Sequence, residues 1–408
     1  MSAPARAALA IFIVAAAIRL FAVWHTTDDP MLDIDQSEYL ALAQNLHAHG
    51  VLSYGRPYHW GDAGMLDAPG PYEPTAARAP LYPAVIALFW RTSAAPIFEV
   101  RVLQALLGAG VALLVFLTAL RPFGLRAATL AGAAMALAPA SIALSSALYA
   151  ESLCIFLLTL ATWLWGRQQG VLAGIAFGAA ALARAVVFPF FAALALLALI
   201  WRFNRSLHLT IVLCAVLVIA PWTIRNMATQ HRFVPVATLG WGANLFLGTV
   251  DTQYGKDTVW TAVDREPVYR AIQESSMSEV EAEKRLFDAA VTRIAADPLL
   301  WLGVRLRQYP RLFVQSPAFL YPLLPLPTLI IRIVYLVGTV AFLGLALWGM
   351  AVALLRWPDS YHIAAFPLFV LVAQLPFLTD ERYGLPMAPM LVVFAAFALS
   401  HKSKLQRA

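Results

Sequence analysis

Charge is scarce in this chain. Of 408 residues only 13% are Asp, Glu, Lys or Arg, while 61% are hydrophobic. Soluble domains carry roughly 25% charged residues, so an ordinary soluble globular protein is excluded. Cysteine is almost missing: the only two, Cys154 and Cys214, both lie in apolar runs, which excludes a disulfide framework. A P-loop, a GxSxG elbow and a GxGxxG turn in a nucleotide-binding context are all lacking, and no tandem repeat shows. The net charge of +6 is ordinary for a protein with basic cytoplasmic loops and gives no reason to expect nucleic-acid binding.

What is abundant is apolar sequence in runs of about 20 residues, long enough to cross a bilayer. Candidate spans fall at 7–24, 102–120, 127–146, 150–166, 171–183, 186–201, 209–223, 327–355, 361–378 and 384–400. The expected fold is therefore an all-α polytopic membrane protein, a single membrane domain over 1–408 with about ten transmembrane helices. The first span is long for a signal peptide and lacks a small-residue cleavage site, so it is expected to stay uncleaved. The stretch 171–201 reads as one long helix or as a hairpin of two short ones. One helix would be roughly 46 Å long against a core of about 30 Å, and a mid-membrane Arg184 would cost about 3 kcal/mol. A hairpin broken near Arg184 and Pro189 puts Arg184 at a surface instead.

With the N- and C-termini inside, Arg121, Arg126, Arg167, Arg202, Arg205, Arg356, Lys402, Lys404 and Arg407 fall in inner loops, as the positive-inside rule requires. Of the 23 acidic residues only Asp359 falls inside. Acids contribute little to orientation, so this asymmetry points to a polar, functional surface on the outer side of the cytoplasmic membrane. Two outer segments are large. Residues 25–101 include a short amphipathic helix from Asp35 to Leu46, a Gly/Pro-rich stretch, and after RAPLYP (Arg78 to Pro83) an apolar helix too short to span. Residues 224–326 centre on a charged amphipathic helix over about 264–296, followed by an aromatic, Arg- and Pro-rich stretch expected to lie in the interface. Helices of 327–408 close the chain.

The first outer loop holds Asp28, Asp29, Asp33, Asp35 and Glu38 beside the membrane. Asp35 and Glu38 have the spacing of a capping box. That reading is compatible with a second one, because a capping carboxylate is rigidly placed and can still accept a proton from a hydroxyl. Asp28, Asp29 and Asp33 read as solvated-loop acids. Four separated segments each bring an arginine to the same side: Arg78, Arg184, Arg225 next to Asn226, and Arg382 next to Tyr383. Any one could snorkel to headgroups. Together, beside Pro, Asn or Tyr rather than in basic runs, they suit a lipid phosphate or pyrophosphate. Glu151 falls at an outer helix start, where the dipole favours it. His47 and His49, with His59, invite a metal reading, but histidines two apart do not share a helix face and no Cys is near, so no zinc site is expected; a divalent cation held by Asp and Glu oxygens stays open, and no other cofactor is implied.

The order of DQSEYLALAQNLHAHG, RAPLYP, ALYAES, ALARAVVFP, PWTIRN, FVPVATLGWGANLFLG and ERYGLPMAPMLVVFAA resembles the GT-C superfamily of integral-membrane glycosyltransferases. It is closest to the family of protein O-mannosyltransferases and lipid A aminoarabinose transferases, over nearly the full chain. The resemblance implies a polyprenyl-phosphate-linked sugar donor used at the outer face, and a hydroxyl-bearing acceptor that is a lipid, glycan or protein. It gives Asp35 the role of catalytic base or acceptor positioner and matches Arg382, Tyr383, Arg225 and Asn226 to family motifs; with Arg78 and Arg184, these arginines and Tyr383 are expected on the donor phosphate, Asp35 as base, and Glu38, Glu151 and Asn226 in support. Residue 36 is Gln where the mannosyltransferases pair DE, and their large C-terminal soluble domains have no counterpart here. A lipid-linked sugar flippase and an outer-face glycan polymerase or ligase are the alternatives; a transporter would place its charge nearer the midplane, with repeat symmetry.

Overall fold

The computed structural model describes residues 1–26, 34–56, 65–91, 94–200, 204–251, 262–275, 277–314, 327–357 and 360–401. Asp28, Asp29, Asp33, His59 and Asp359 lie outside them. Among the described residues the protein is helical, with no strand. Besides two short helices, Pro139–Ala143 and Pro267–Gln273, the helices are α1 (Ala3–His25), α2 (Ile34–His49), α3 (Leu81–Phe89), α4 (Ile97–Ala136), α5 (Glu151–Gly166), α6 (Gly170–Ala183), α7 (Pro189–Ile200), α8 (Arg205–Gln230), α9 (Trp241–Leu247), α10 (Glu279–Ala296), α11 (Pro298–Gln308), α12 (Thr328–Arg356), α13 (Tyr361–Ala373), α14 (Glu381–Gly384) and α15 (Ala388–Ser400).

The all-α polytopic architecture expected from hydropathy is present. Among the described residues five helices are long and apolar enough to cross a bilayer, namely α1, α4, α8, α12 and Arg382–Ser400, which contains α15. The shorter apolar helices α5, α6, α7 and α13 accompany them. Helix α4 covers two of the expected spans, joined where Gly124 takes a left-handed conformation (φ +81°) that only glycine adopts at no cost. The second of those spans ends at Ala136, ten residues earlier than its hydropathy suggests. The cause is Arg19 of α1, fully buried, whose guanidinium donates to the Met135 and Ala136 carbonyls and to Ser141 Oγ. A cation satisfies the last carbonyls of the helix and terminates it.

Chain direction alternates along the bundle. Arg101 reaches the Thr26 carbonyl at one end, while Arg121 reaches the Gly166 carbonyl and Arg356 meets His401 at the other. The long stretch 171–201 is broken: α6 stops at Ala183, Arg184 is extended, a 3-10 turn follows, and α7 restarts at Pro189. Helices α6 and α8 then pack backbone to backbone. A Cβ on Gly174 would lie 2.5 Å from the Ile211 carbonyl oxygen, and one on Gly178 would lie 2.8 Å from that of Ala215. Small residues four apart permit this approach, the means by which helices bind where no hydrophobic effect drives them together.

A second layer covers the Thr26 end. The expected helix over 264–296 is two helices, Pro267–Gln273 and α10, because Ser278 and Glu281 form a capping box that starts α10 afresh. Two buried acids of α10 fasten it down. Glu279 accepts from Thr75 Oγ1 (2.5 Å) and the Ala76 N–H (2.8 Å). Glu283 accepts from the N–H groups of Gly240, Gly242 and Ala243 at the start of α9. Beside them Thr238 and Leu239 donate to the Ala76 and Ala77 carbonyls. Helix α11 buries Val304, Arg305 and Gln308 and exposes Leu299, Leu302 and Leu306 on the opposite face, the pattern of a helix lying in a membrane interface.

Two predictions follow from this packing. Gly174→Val forces α6 from α8 and is expected to cost about 1–3 kcal/mol, read as a lower unfolding midpoint in detergent. Burial pushes the Glu283 carboxyl up to about 7, against the three N–H donors that favour its anion; Glu279, the nearby acid, is also shifted up. A raised carboxyl stabilises the fold fully below its unfolded value and loses that contribution as pH rises through about 7. Melting between pH 5 and pH 8 is therefore expected to fall in the wild type and to fall less in Glu283→Gln.

Candidate active site

Helix α2 starts at Ile34, so Asp35 is its second residue and not its cap, and the capping box expected for Asp35 and Glu38 gives way to tertiary pairing. Glu38 Oε2 accepts from Arg78 Nε at 2.7 Å. Asp35 is shared: Oδ1 accepts from Arg78 Nη2 at 2.6 Å and Oδ2 from Arg382 Nη1 at 2.7 Å. Arg382 turns its Nε to Glu151 Oε1 at 2.8 Å, and Arg184 pairs with the same oxygen. Three carboxylates and three guanidinium groups thus form one contiguous cluster. Charge–charge attraction and hydrogen bonding within it are strong because water is partly excluded.

Each member is there for a local reason. Asp35 and Glu38 are three apart on α2 and share a face. Arg78 stands in the extended turn just before α3, its guanidinium over the Tyr39 ring. Glu151 begins α5 and Arg184 ends α6. Arg382 sits in the single turn of α14, whose N-cap Asp380 accepts from the Arg382 N–H. Arg382 also lies over Tyr149, 4.0 Å from the ring centre, and Arg184 lies over Tyr383. Burial is graded. Glu151 is fully buried and Glu38 nearly so, while the Asp35, Arg78 and Arg382 side chains keep 25%, 24% and 30% exposure. The anchors are inside, and the groups able to meet a ligand are on the surface. Glu151 Oε2 is buried without a hydrogen-bond partner. Burial opposes ionisation of Asp35, but Arg78 and Arg382 outweigh it and hold the carboxyl well below the usual range. Glu38, more deeply buried, is pushed up by desolvation despite Arg78.

Of the residues singled out in the sequence, the structure brings together Asp35, Glu38, Arg78, Glu151, Arg184, Arg382 and Tyr383. It places Arg225 and Asn226 elsewhere. Arg225 donates to the Thr75 carbonyl and stacks on Trp222. Asn226 is buried and donates to the Val234 and Val236 carbonyls, holding the chain that leaves α8. His49 stacks on Tyr72. Among the described residues no group of three or more His, Cys, Asp or Glu is arranged for a metal.

Supporting residues escaped the sequence reading. Gln36 accepts from the Leu148 N–H and so fixes α2 to the loop that carries Tyr149 and Glu151. Arg305 of α11 is fully buried and donates to the carbonyls of Gly248 and Leu375, to Gln308 Oε1 and to Thr379 Oγ1. It thereby secures the segment leading to Arg382. Tyr383 adds a hydrogen bond to Asn244 Oδ1 of α9. An Arg amid Leu, Trp and Gly signals an amphipathic helix, and only the fold shows that this Arg faces inward.

No protein-family model matches the chain, and no curated protein matches it. Solved structures do. The oligosaccharyltransferase AglB of Archaeoglobus fulgidus, in complex with an inhibitory peptide and a dolichol-phosphate, superposes with a TM-score of 0.54 at 14% identity, over 96% of this chain and 50% of that one. The Archaeoglobus fulgidus oligosaccharyltransferase tethered with an acceptor peptide gives 0.54 at 15%, over 96% and 49%. ArnT from Cupriavidus metallidurans bound to undecaprenyl phosphate gives 0.45 at 16%, over 98% and 78%. This chain spans about half the length of the AglB chain, and over that half it shares its fold.

Removing one cation from the cluster strands its partners. Arg78→Gln leaves the buried Glu38 unpaired and is expected to cost about 3–5 kcal/mol. Glu38→Gln in the same protein should recover part of that loss, and a double-mutant cycle on unfolding midpoints measures the coupling.

Proposed function

We propose that this chain is an integral-membrane glycosyltransferase that moves a sugar from a polyprenyl-phosphate-linked donor to a hydroxyl-bearing acceptor at the outer face of the cytoplasmic membrane. One observation carries the reading. A carboxylate at the start of a surface helix is held between two arginines from distant parts of the chain, at the end of the bundle opposite Arg121, Arg126, Arg167 and Arg205. The AglB structure of the same fold holds a dolichol-phosphate, which supports a lipid-phosphate donor by analogy of fold. The lipid chain, at about 0.8 kcal/mol per buried CH₂, keeps such a donor in the bilayer and requires a site at its surface.

In this mechanism the donor phosphate enters as a competing anion. Arg78 and Arg382 turn part of their hydrogen bonding from Asp35 to the phosphate, and the carboxylate regains basicity as it loses those donors. The acceptor hydroxyl then attacks the anomeric carbon from the face opposite the phosphate. Its oxygen–carbon bond forms as the carbon–oxygen bond to phosphate breaks, and its proton passes to Asp35. Configuration inverts. The arginines, with Arg184 behind them, stabilise the charge that develops on the leaving phosphate. Glu38 and Glu151 hold the arginines in place before the donor arrives.

The test is transfer of radiolabelled sugar from a polyprenyl-phosphate donor by purified protein. Asp35→Asn is expected to lower kcat by about 10²–10⁴-fold with folding and insertion intact; full activity in that variant would remove Asp35 from the reaction. Arg382→Lys keeps the charge but loses the fork and should retain only partial activity. A transporter would transfer no sugar, and a polymerase would require lipid-linked oligosaccharides.

A further inference from the structure

Arg225 stands apart from the carboxylate cluster, and what surrounds it differs in kind. It lines an open cleft of about 410 Å³ with Leu46 from the end of α2, Leu52, Pro80 and Ala84 near α3, and Trp222 of α8. Ligand pockets are usually ~300–1,000 Å³, mostly apolar, with a few placed polar groups; this cleft has that size and that composition. The guanidinium is fixed at three points. Nη1 donates to the Thr75 carbonyl (2.7 Å) and to Asn226 Oδ1 (3.1 Å), and the plane lies 4.5 Å from the centre of the Trp222 ring. No carboxylate of the described residues pairs with it. Glu279, whose charge reaches Arg225, is bonded to Thr75 and Ala76. The other arginines that the sequence reading assigned to phosphate each have a carboxylate partner.

The lining of the cleft includes no member of the carboxylate cluster, although Pro80 stands two residues from Arg78. Asp35 and Leu46 lie eleven positions apart on one helix, about 16 Å along its axis. The neighbouring surface is apolar, with Leu88, Ile224 and Met227 strongly exposed, as on a face that meets lipid tails.

We propose that this cleft is a binding site for an anionic phospholipid of the surrounding bilayer, the phosphate on Arg225 and an acyl chain against Leu46, Ala84 and Trp222. Charge selects the occupant. A zwitterionic lipid brings its own cation to a site that supplies one, whereas an anionic headgroup meets a guanidinium that no described carboxylate bridges directly.

The experiment is photo-crosslinking from Ala84→p-benzoylphenylalanine in vesicles of equal phosphatidylglycerol and phosphatidylcholine with matched chains. The expected adduct is enriched in phosphatidylglycerol. Arg225→Gln should cut that enrichment about tenfold, and Arg225→Lys should keep most of it. Leu46→Trp, which fills the cleft and leaves the charge, should reduce adducts with both lipids. Asp35→Asn should leave the adducts unchanged while sugar transfer falls, so failure here is distinct from failure of the proposed reaction. Equal labelling by the two lipids in the wild type, enrichment that survives Arg225→Gln, or enrichment lost in Asp35→Asn would overturn the assignment.

Discussion

The site depends on one shared carboxylate. Asp35 gives one oxygen to an arginine 43 residues away in sequence and the other to an arginine 347 residues away. A partly desolvated carboxylate requires cations, and partly desolvated cations require further carboxylates; Glu38 and Glu151 supply them from buried positions. The result is a balanced set of charges that no single segment could hold. Helix α2, the turn before α3, the head of α5, the tail of α6 and the turn before α15 must all meet at one level for any of them to be stable there.

Buried arginines elsewhere in the molecule are satisfied differently. Arg19 and Arg305 are fully buried and bond carbonyls, two hydroxyls and one side-chain amide at the ends of helices. Backbone carbonyls cannot be withdrawn without unwinding the helices they belong to. A carboxylate side chain can rotate away from its arginine and accept a different one. The two kinds of arginine partner therefore divide the molecule into parts that are fixed and a part whose bonding can change.

Much of this was legible in the sequence, because the bilayer imposes a length and a cost that sequence must obey. Arg184 beside Pro189 in an apolar stretch too long to be one helix forced a break, and the chain breaks there. Asp35, Arg78, Glu151 and Arg382 were placed at one surface by hydropathy and charge alone. Hydropathy gives depth in the membrane and says nothing of position around the bundle, so Arg225 was grouped with arginines from which the structure separates it. The capping spacing of Asp35 and Glu38 was a local signal outweighed by tertiary ion pairs stronger than an N-cap. Gln36 and Arg305 gave no signal, since a lone polar residue in an amphipathic helix looks the same whether it faces inward or outward.

The equal count of acids and bases in the cluster bears on turnover. Before any anion arrives, three acids face three bases, and each guanidinium is already engaged. Under the proposed reaction the site receives a phosphodiester carrying one negative charge and is left with a phosphomonoester carrying nearly two. Once Asp35 has passed on to water the proton it took, the surplus falls beside Asp35, Glu38 and Glu151, each competing for the guanidinium groups that hold the product. A spent carrier is then pushed toward the bilayer by the same carboxylates that positioned the arginines, and the resting arrangement of the site restores itself as the carrier departs.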